Sequence, residues 1–149
     1  MLRFTKQLDY GLMAMRYTTE RQGDATVGVR RIADEFGIPA ELLAKVLQRL
    51  AKRGLLTGQT GPRGGYRLTL PLTAVTAVTA VTVGQVLRAL EGPVAIVSCL
   101  RDHGECAQAS GCTLRKPARK LQAAVTNVLD TMTLAELGDA DVPAALVAK

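Results

Sequence analysis

Three segments in the N-terminal half of the chain repeat the apolar spacing of amphipathic helices. Leu8, Leu12 and Met15 predict a first helix from about Thr5 to Arg21. Two further stripes, each with apolar residues at i, i+3, i+4 and i+7, predict a short second helix and a third one. Their members are Val29, Ile32, Ala33 and Phe36, with Gly37 as the cap, and Leu43, Val46, Leu47 and Leu50, with Gly54 at the end. Two helices joined by a tight turn indicate a helix-turn-helix, which the first helix completes as a three-helix core.

A β-hairpin is predicted directly after the third helix. Leu55-Leu56-Thr57 is followed by Gly61-Pro62-Arg63-Gly64-Gly65 and then by the alternating segment Tyr66-Arg67-Leu68-Thr69-Leu70. The glycines permit a tight tip that can approach a phosphate backbone or a minor groove. The predicted fold is therefore mainly α with a small β-hairpin: a winged helix-turn-helix domain.

The pattern changes after the hairpin. Residues 73–83 are a Thr-Ala-Val repeat, which matches neither the helical nor the strand period and is interpreted as a low-complexity linker. Thr82 and Gln85 have capping-box spacing, which predicts a short helix from Val83 to Glu91 that ends at Gly92-Pro93. The predicted organisation is a winged helix-turn-helix domain over 1–72, the linker over 73–83, a second unit with a loop and a long helix over 84–137, and a flexible tail over 138–149.

A long amphipathic helix is predicted from Thr113 onward, and Pro117 is tolerated because it lies in about the first turn. Its apolar face is longer than so small a domain can cover, so we expect it to pack against its two-fold mate in a dimer. Packing within one chain is the alternative. The face comprises Leu114, Leu121, Val125, Val128, Leu129 and Met132.

The distribution of charge along the chain indicates a polyanionic partner. Residues 1–70 hold twelve Lys or Arg against six Asp or Glu, whereas residues 71–149 hold seven of each, so the first half carries the whole net charge of +6. A basic half with a helix-turn-helix and a wing favours double-stranded DNA as the partner. The candidate DNA-binding residues are Arg30, Pro39, Glu41, Lys45, Gln48, Arg49, Lys52, Arg63, Gly64 and Arg67.

Three cysteines lie within fourteen residues, at Cys99, Cys106 and Cys112. Neighbouring thiolates repel one another, so such a set makes chemical sense when an iron-sulfur cluster or a cation neutralises them. Zinc is the alternative, with His103 as a fourth ligand, although structural zinc sites usually have tighter spacing. Free thiols are the remaining interpretation.

These features resemble the IscR/NsrR family of Rrf-type winged-helix regulators over residues 1–137. The resemblance is carried by Phe4-Thr5-Lys6-Gln7-Leu8-Asp9-Tyr10-Gly11-Leu12, by the Gly-Pro-Arg-Gly-Gly-Tyr-Arg-Leu wing, by Glu91-Gly92-Pro93 and by the three-cysteine loop. Within the family the chain is most similar to regulators of the SUF iron-sulfur assembly system. Its segment Leu-Ala-Glu-Leu at 134–137 resembles the C-terminal signature of those regulators.

The resemblance implies a homodimer that binds a palindromic operator and represses iron-sulfur assembly genes according to cluster occupancy. Cys99, Cys106 and Cys112 match the family's cysteine ligands. Asp9 of the partner subunit is the first candidate for the fourth ligand and His103 the second, and the cluster is either a two-iron two-sulfur or a four-iron four-sulfur type. A nitric oxide or redox-responsive regulator of other genes, and a zinc-stabilised DNA-binding module without sensing, are the alternatives.

Other classes of protein fit less well. The chain has no nucleotide-binding glycine motif, no Cys-x-x-Cys pair and no general acid-base constellation, so we do not expect an enzyme or a small-molecule substrate. Nor does it contain a run of about 18 apolar residues or a signal peptide, so we expect a cytoplasmic protein with no membrane partner.

Overall fold

The computed structural model describes residues 4–21, 26–69, 80–97, 100, 108 and 110–138. In chain order its elements are helix α1 (Lys6–Glu20), α2 (Val29–Phe36), α3 (Ala40–Lys52), strands β1 (Leu56–Gln59) and β2 (Gly65–Leu68), helix α4 (Val83–Glu91), helix α5 (Arg115–Thr131) and a 3-10 turn (Glu136–Gly138). The predicted fold class, mainly α with a small β-hairpin, is confirmed.

The three predicted N-terminal helices are present, and α1 begins and ends within one residue of its predicted bounds. Thr5 caps α1, because its hydroxyl oxygen accepts a hydrogen bond from the Leu8 N–H at 3.2 Å. Gly37 ends α2 in the left-handed conformation (φ 62°), and the chain then turns directly into α3. All four apolar residues predicted for the inner face of α3 are buried.

The wing is a two-stranded antiparallel hairpin in which Leu56 pairs with Leu68 and Gln59 with Gly65. Val27, just before α2, adds a further bridge to Tyr66. This bridge explains Gly65: a Cβ placed there would lie 2.4 Å from the Val27 carbonyl oxygen. The hairpin is therefore joined to the helix-turn-helix through its backbone.

Helix α4 packs against both α1 and α3 in the same hydrophobic core. The capping box predicted for Thr82 and Gln85 is present, and Gly92 ends the helix at φ 86°. At Gly11, α1 approaches α4 so closely that an added Cβ would lie 2.4 Å from Leu90 Cδ1. Helix α4, which follows the predicted linker, therefore shares one core with the helices that precede it. Residues 70–79, which include most of the Thr-Ala-Val repeat, lie outside the described residues.

The end of that repeat is held in place by the C-terminal part of the chain. The Leu134 N–H donates to the Val81 carbonyl oxygen at 3.0 Å, and the Val83 N–H donates to that of Met132 at 2.9 Å. Residues 81–83, predicted as the last part of a linker, thus pair with residues 132–134. Leu134 is buried in the core next to this pairing.

Helix α5 begins at Arg115, and Pro117 is its third residue, as the sequence predicted. It packs against α4, and Leu129 is the one residue of this helix that is buried. Among the described residues, no helix is both long and apolar enough to cross a membrane.

Candidate functional site

The outer face of α3 is a row of exposed polar side chains. Leu43, Val46, Leu47 and Leu50 face the core, so the opposite side of the helix faces solvent. The predicted contact residues Glu41, Lys45, Gln48 and Lys52 are all exposed there. A helix with this arrangement can enter a major groove, where amide and ammonium groups bond to base edges and phosphates.

Arg49 was predicted to belong to the same face and is also exposed, but its guanidinium makes hydrogen bonds to α1 and α4. Its Nη1 donates to Gln7 Oε1 at 2.8 Å, and its Nη2 donates to the Leu90 carbonyl oxygen. The guanidinium therefore lies where α1, α3 and α4 meet. This arrangement was not predicted from the sequence.

Arg30 and Pro39, the other predicted contacts on the helix-turn-helix, are exposed at the starts of α2 and α3. Pro39 is the N-cap residue of α3, and its carbonyl oxygen accepts from the Leu43 N–H at 3.0 Å. Proline suits the end of this turn because its fixed φ leads into a helix.

The wing tip presents Arg63 to solvent. The Gly64 N–H donates to the Gly61 carbonyl oxygen at 2.9 Å, which closes the turn, and the Thr26 hydroxyl donates to the Arg63 carbonyl oxygen at 2.9 Å. Thr26 was not identified from the sequence, although it fixes the tip from outside the hairpin. Arg67 is exposed on β2, opposite Thr57.

The cysteine segment is described only in part. Cys112 is half-buried and unpaired, three residues before α5 begins. Cys99, Cys106 and His103 lie outside the described residues. Asp9, the candidate fourth ligand, is exposed in the first turn of α1. Within the described ranges, no three His, Cys, Asp or Glu side chains lie close enough together to hold a metal ion.

A glutamine of α5 holds the backbone that leads into the cysteine segment. Gln122 Oε1 accepts from the Ile96 N–H at 2.8 Å, and its Nε2 donates to the Val94 carbonyl oxygen at 2.5 Å. One side-chain amide thus satisfies a donor and an acceptor of an irregular segment, in the way a neighbouring strand would. The sequence carried no signal for this contact.

The surface of α5 is basic at its start and apolar along one side. Arg115, Lys116, Arg119 and Lys120 are exposed in its first two turns, close in sequence to Cys112. The exposed apolar side chains associated with this helix are Leu114 (70%), Leu121 (54%), Val128 (54%) and Met132 (37%). So large an apolar stripe on a small protein is typical of an interaction surface.

One carboxylate beyond α5 has a shifted pKa. The Thr133 N–H and hydroxyl donate to Glu136 Oε2 at 2.6 and 2.8 Å. These hydrogen bonds, that of the backbone first, hold the pKa of Glu136 below its ordinary value. They also fix the turn that carries Leu134.

A family model described as an iron-dependent transcriptional regulator, Rrf2, matches residues 4–140. The chain belongs to the Rrf2 family. The match covers the helix-turn-helix, the wing, the cysteine segment and α5, so the described geometry is that of a Rrf2 transcriptional regulator.

Solved structures of similar proteins agree with this assignment. The Rrf2 chain is 27% identical to CymR (YrzC), the global cysteine regulator of B. subtilis, with a TM-score of 0.68, covering 92% of this chain and 96% of CymR. It is 26% identical to a putative transcriptional regulator from Listeria innocua, with a TM-score of 0.74 and coverages of 99% and 93%. It is also 26% identical to T. potens IscR, with a TM-score of 0.64 and coverages of 99% and 93%.

Proposed function

We propose that this Rrf2 protein binds operator DNA as a homodimer and that an iron-sulfur cluster held by its three cysteines controls operator affinity. The observation that carries the DNA-binding part is the exposed polar row of α3 with the wing attached beside it through Val27 and Tyr66. Two basic elements held in one rigid unit can follow two grooves of a duplex at once.

In this proposal α3 lies in the major groove and the wing reaches the neighbouring backbone or minor groove. Lys45 and Lys52 neutralise phosphates, and Gln48 reads base edges. Arg63 at the wing tip enters the minor groove or contacts its phosphates, where the narrow groove strengthens the attraction. The remaining proposed contacts are Arg30, Pro39, Glu41, Gly64 and Arg67.

The proposed dimer forms through the exposed apolar stripe of α5. Leu121 and Val128 lie two turns apart on one side of that helix, so a second copy of α5 would cover both. A two-fold dimer presents two α3 helices to half-sites about one helical turn of DNA apart, which requires an operator with matching two-fold symmetry.

The proposed cluster ligands are Cys99, Cys106 and Cys112, with Asp9 of the partner subunit ranked before His103 for the fourth position. The donor set fits the group: thiolates are the usual ligands of iron-sulfur clusters, and three of them leave one position for another ligand. When bound, the cluster supplies an oxygen-labile centre with its own charge. Arg115 and Lys116, at the start of α5 and close in sequence to Cys112, would balance thiolate charge in this proposal.

The energy that such regulation needs is small. A tenfold change in operator affinity corresponds to about 1.4 kcal/mol of differential binding between two states of the dimer. We propose repression of SUF-type iron-sulfur assembly genes, since the resemblance over Leu-Ala-Glu-Leu at 134–137 favours regulators of that system. A nitric oxide or redox-responsive regulator of other genes would use the same site.

The test is to purify the protein without oxygen, record its visible absorption, and assay iron, sulfide and zinc on the same sample. Broad visible absorbance that bleaches in air, with matching iron and sulfide, is expected. Cys106→Ala should abolish both the cluster and cluster-dependent operator binding. If Cys106→Ala left both intact, the sensing mechanism would be wrong.

A second candidate is a regulator that works without a cluster. The chain is as similar to CymR, a global cysteine regulator, as it is to IscR, with 27% and 26% sequence identity. This similarity supports the second candidate. A zinc-stabilised module belongs to the same class. Colourless protein with one zinc per chain, or with no metal, and DNA binding insensitive to air would support this second candidate.

A further inference from the structure

The guanidinium of Arg49 joins three helices. Gln7, which accepts from Nη1, lies in the first turn of α1, and Leu90, whose carbonyl oxygen accepts from Nη2, lies in the last turn of α4. We propose that Arg49 is a positioning residue for DNA binding: it sets the orientation of α3 against α1 and α4 and does not itself contact DNA.

The chemistry of the junction suits arginine. The last carbonyl groups of a helix have no partner within the helix, so the Leu90 carbonyl oxygen needs an outside donor. A cation is also favourable at a helix C-terminus. The planar fork of a guanidinium donates to Gln7 Oε1 from one nitrogen and to this carbonyl from the other in a fixed geometry, whereas the ammonium of lysine is a single point charge on a flexible stem.

Close packing surrounds this polar junction. A Cβ on Gly11 would lie 2.4 Å from Leu90 Cδ1 and 3.5 Å from Val46 Cγ1, so all three helices meet there. The same two helices, α1 and α4, are also joined at the start of α1 and the end of α4, where the Thr5 hydroxyl donates to Glu91 Oε1 at 2.5 Å. The bonds of Arg49 therefore link α3 to α1 and to α4 beside this close contact.

The consequence concerns specificity. Base contacts depend on the precise placement of α3 in the groove, whereas attraction to phosphates is long-range and tolerates small displacements. Loss of the Arg49 junction should therefore weaken binding to a preferred sequence and leave binding to random DNA almost unchanged. Loss of a direct phosphate contact would weaken both.

The experiment uses two labelled duplexes of equal length: one enriched from a random pool on the wild-type protein, and one of random sequence. Arg49→Lys keeps the charge and loses the fork, so affinity for the enriched duplex should fall about tenfold, with no change in the slope of affinity against salt. Gln7→Leu, which alters α1 only, should lower the affinity for the enriched duplex in the same way. Gln7→Glu, which keeps an acceptor, should retain the wild-type affinity for that duplex. The double variant Arg49→Lys with Gln7→Leu should be no weaker than either single variant.

Lys45→Gln is the matched control on the outer face of α3. It should weaken binding to both duplexes and reduce the salt slope by about one. Wild-type affinity in Gln7→Leu combined with weak binding in Arg49→Lys would mean that Arg49 touches DNA, and it would overturn the proposal. So would wild-type affinity in both variants. If Gln7→Leu does not fold, Gln7→Ala, which removes the acceptor without adding charge, takes its place with the same expectation.

The inference rests on the proposed DNA binding, and different results would refute the DNA binding and the role of Arg49. If the wild-type protein enriched no duplex from the pool, the proposed function itself would be refuted. If the wild-type protein enriched a duplex and the Gln7 variants bound it normally, only the role of Arg49 would be refuted.

Discussion

The side chain of Gln122 accepts a hydrogen bond from the backbone N–H of Ile96 at 2.8 Å, which ties α5 to the segment that precedes the cysteines. The same amide donates to the carbonyl oxygen of Val94. Both Val94 and Ile96 are partly buried, so water would satisfy these backbone groups poorly in the absence of Gln122.

We expect Gln122→Leu to lower the free energy of unfolding by about 1 kcal/mol, because it leaves a partly buried donor and acceptor without their partner. The amide of Ile96 should also exchange its hydrogen faster. Urea unfolding and hydrogen exchange read by NMR measure the two effects. Asn127→Leu is the matched control, since Asn127 is exposed on the same helix. Equal stability and unchanged Ile96 exchange in Gln122→Leu would show that the amide does not hold this segment.

A second prediction concerns the wing. Gly65→Ala should destabilise the protein by about 1–3 kcal/mol, because the new Cβ overlaps backbone atoms that cannot move aside alone. The nearest is the Val27 carbonyl oxygen, 2.4 Å away. Gly58→Ala, on the partner strand, meets only the ring of Tyr66, at 3.4 Å from Cε1 and 3.8 Å from Cδ1, and should be tolerated. Thermal unfolding of both variants measures the difference, and comparable melting temperatures would contradict the close approach of Val27 and Gly65.

Apolar periodicity and glycine placement were enough to predict α1, α2, α3 and α4. Gly37 was correctly identified as a cap because a glycine directly after an apolar stripe commonly ends a helix in the left-handed conformation. The Thr82–Gln85 capping box was predicted because its two partners are three residues apart in the sequence. These signals are local, so one sequence suffices to find them.

The contacts that were missed join residues far apart in the chain. Arg49 bonds to Gln7 and Leu90, each more than forty positions away. One signal was available in the helical positions. At 100° per residue, Arg49 lies about 70° from the centre of the outer face of α3, toward the buried Val46, so it stands at the edge of that face. Gln122, by contrast, has no pattern that marks it, since its partners are backbone atoms of an irregular segment. The ligand geometry of Cys99 and Cys106 lies outside the described residues, and the cluster remains a proposal.

The pKa of Glu136 leads to a third prediction. Hydrogen bonds from the Thr133 N–H and hydroxyl lower the pKa of this carboxyl in the folded state. A lowered folded-state pKa stabilises the fold at pH values above the unfolded pKa, and the contribution is lost as the pH falls through the folded pKa. We expect Thr133→Ala to raise the pKa of Glu136, as measured by carboxyl carbon NMR titration. Thr131→Ala is the control because the Thr131 hydroxyl donates to carbonyl oxygens of its own helix. An unchanged titration midpoint in Thr133→Ala would contradict the contribution of the hydroxyl.

The last prediction separates dimerisation from folding. Val128 is 54% exposed in the single chain, so Val128→Asp should leave the fold of the isolated chain nearly as stable as before.

In the proposed dimer the same side chain is covered by a second α5, where an unpaired carboxylate is strongly unfavourable. We therefore expect the dimer dissociation constant to rise by at least about a hundredfold, which sedimentation velocity over a dilution series measures.

Ala123→Asp is the control, since Ala123 is exposed on α5 outside the stripe of Leu121 and Val128 and should leave association unchanged. Because an operator with two half-sites is bound tightly only when both α3 helices are joined, Val128→Asp should also weaken binding to a full operator more than to a half-site. A variant that remained dimeric at wild-type concentrations would place the subunit interface on another surface and leave the apolar stripe of α5 for a different partner.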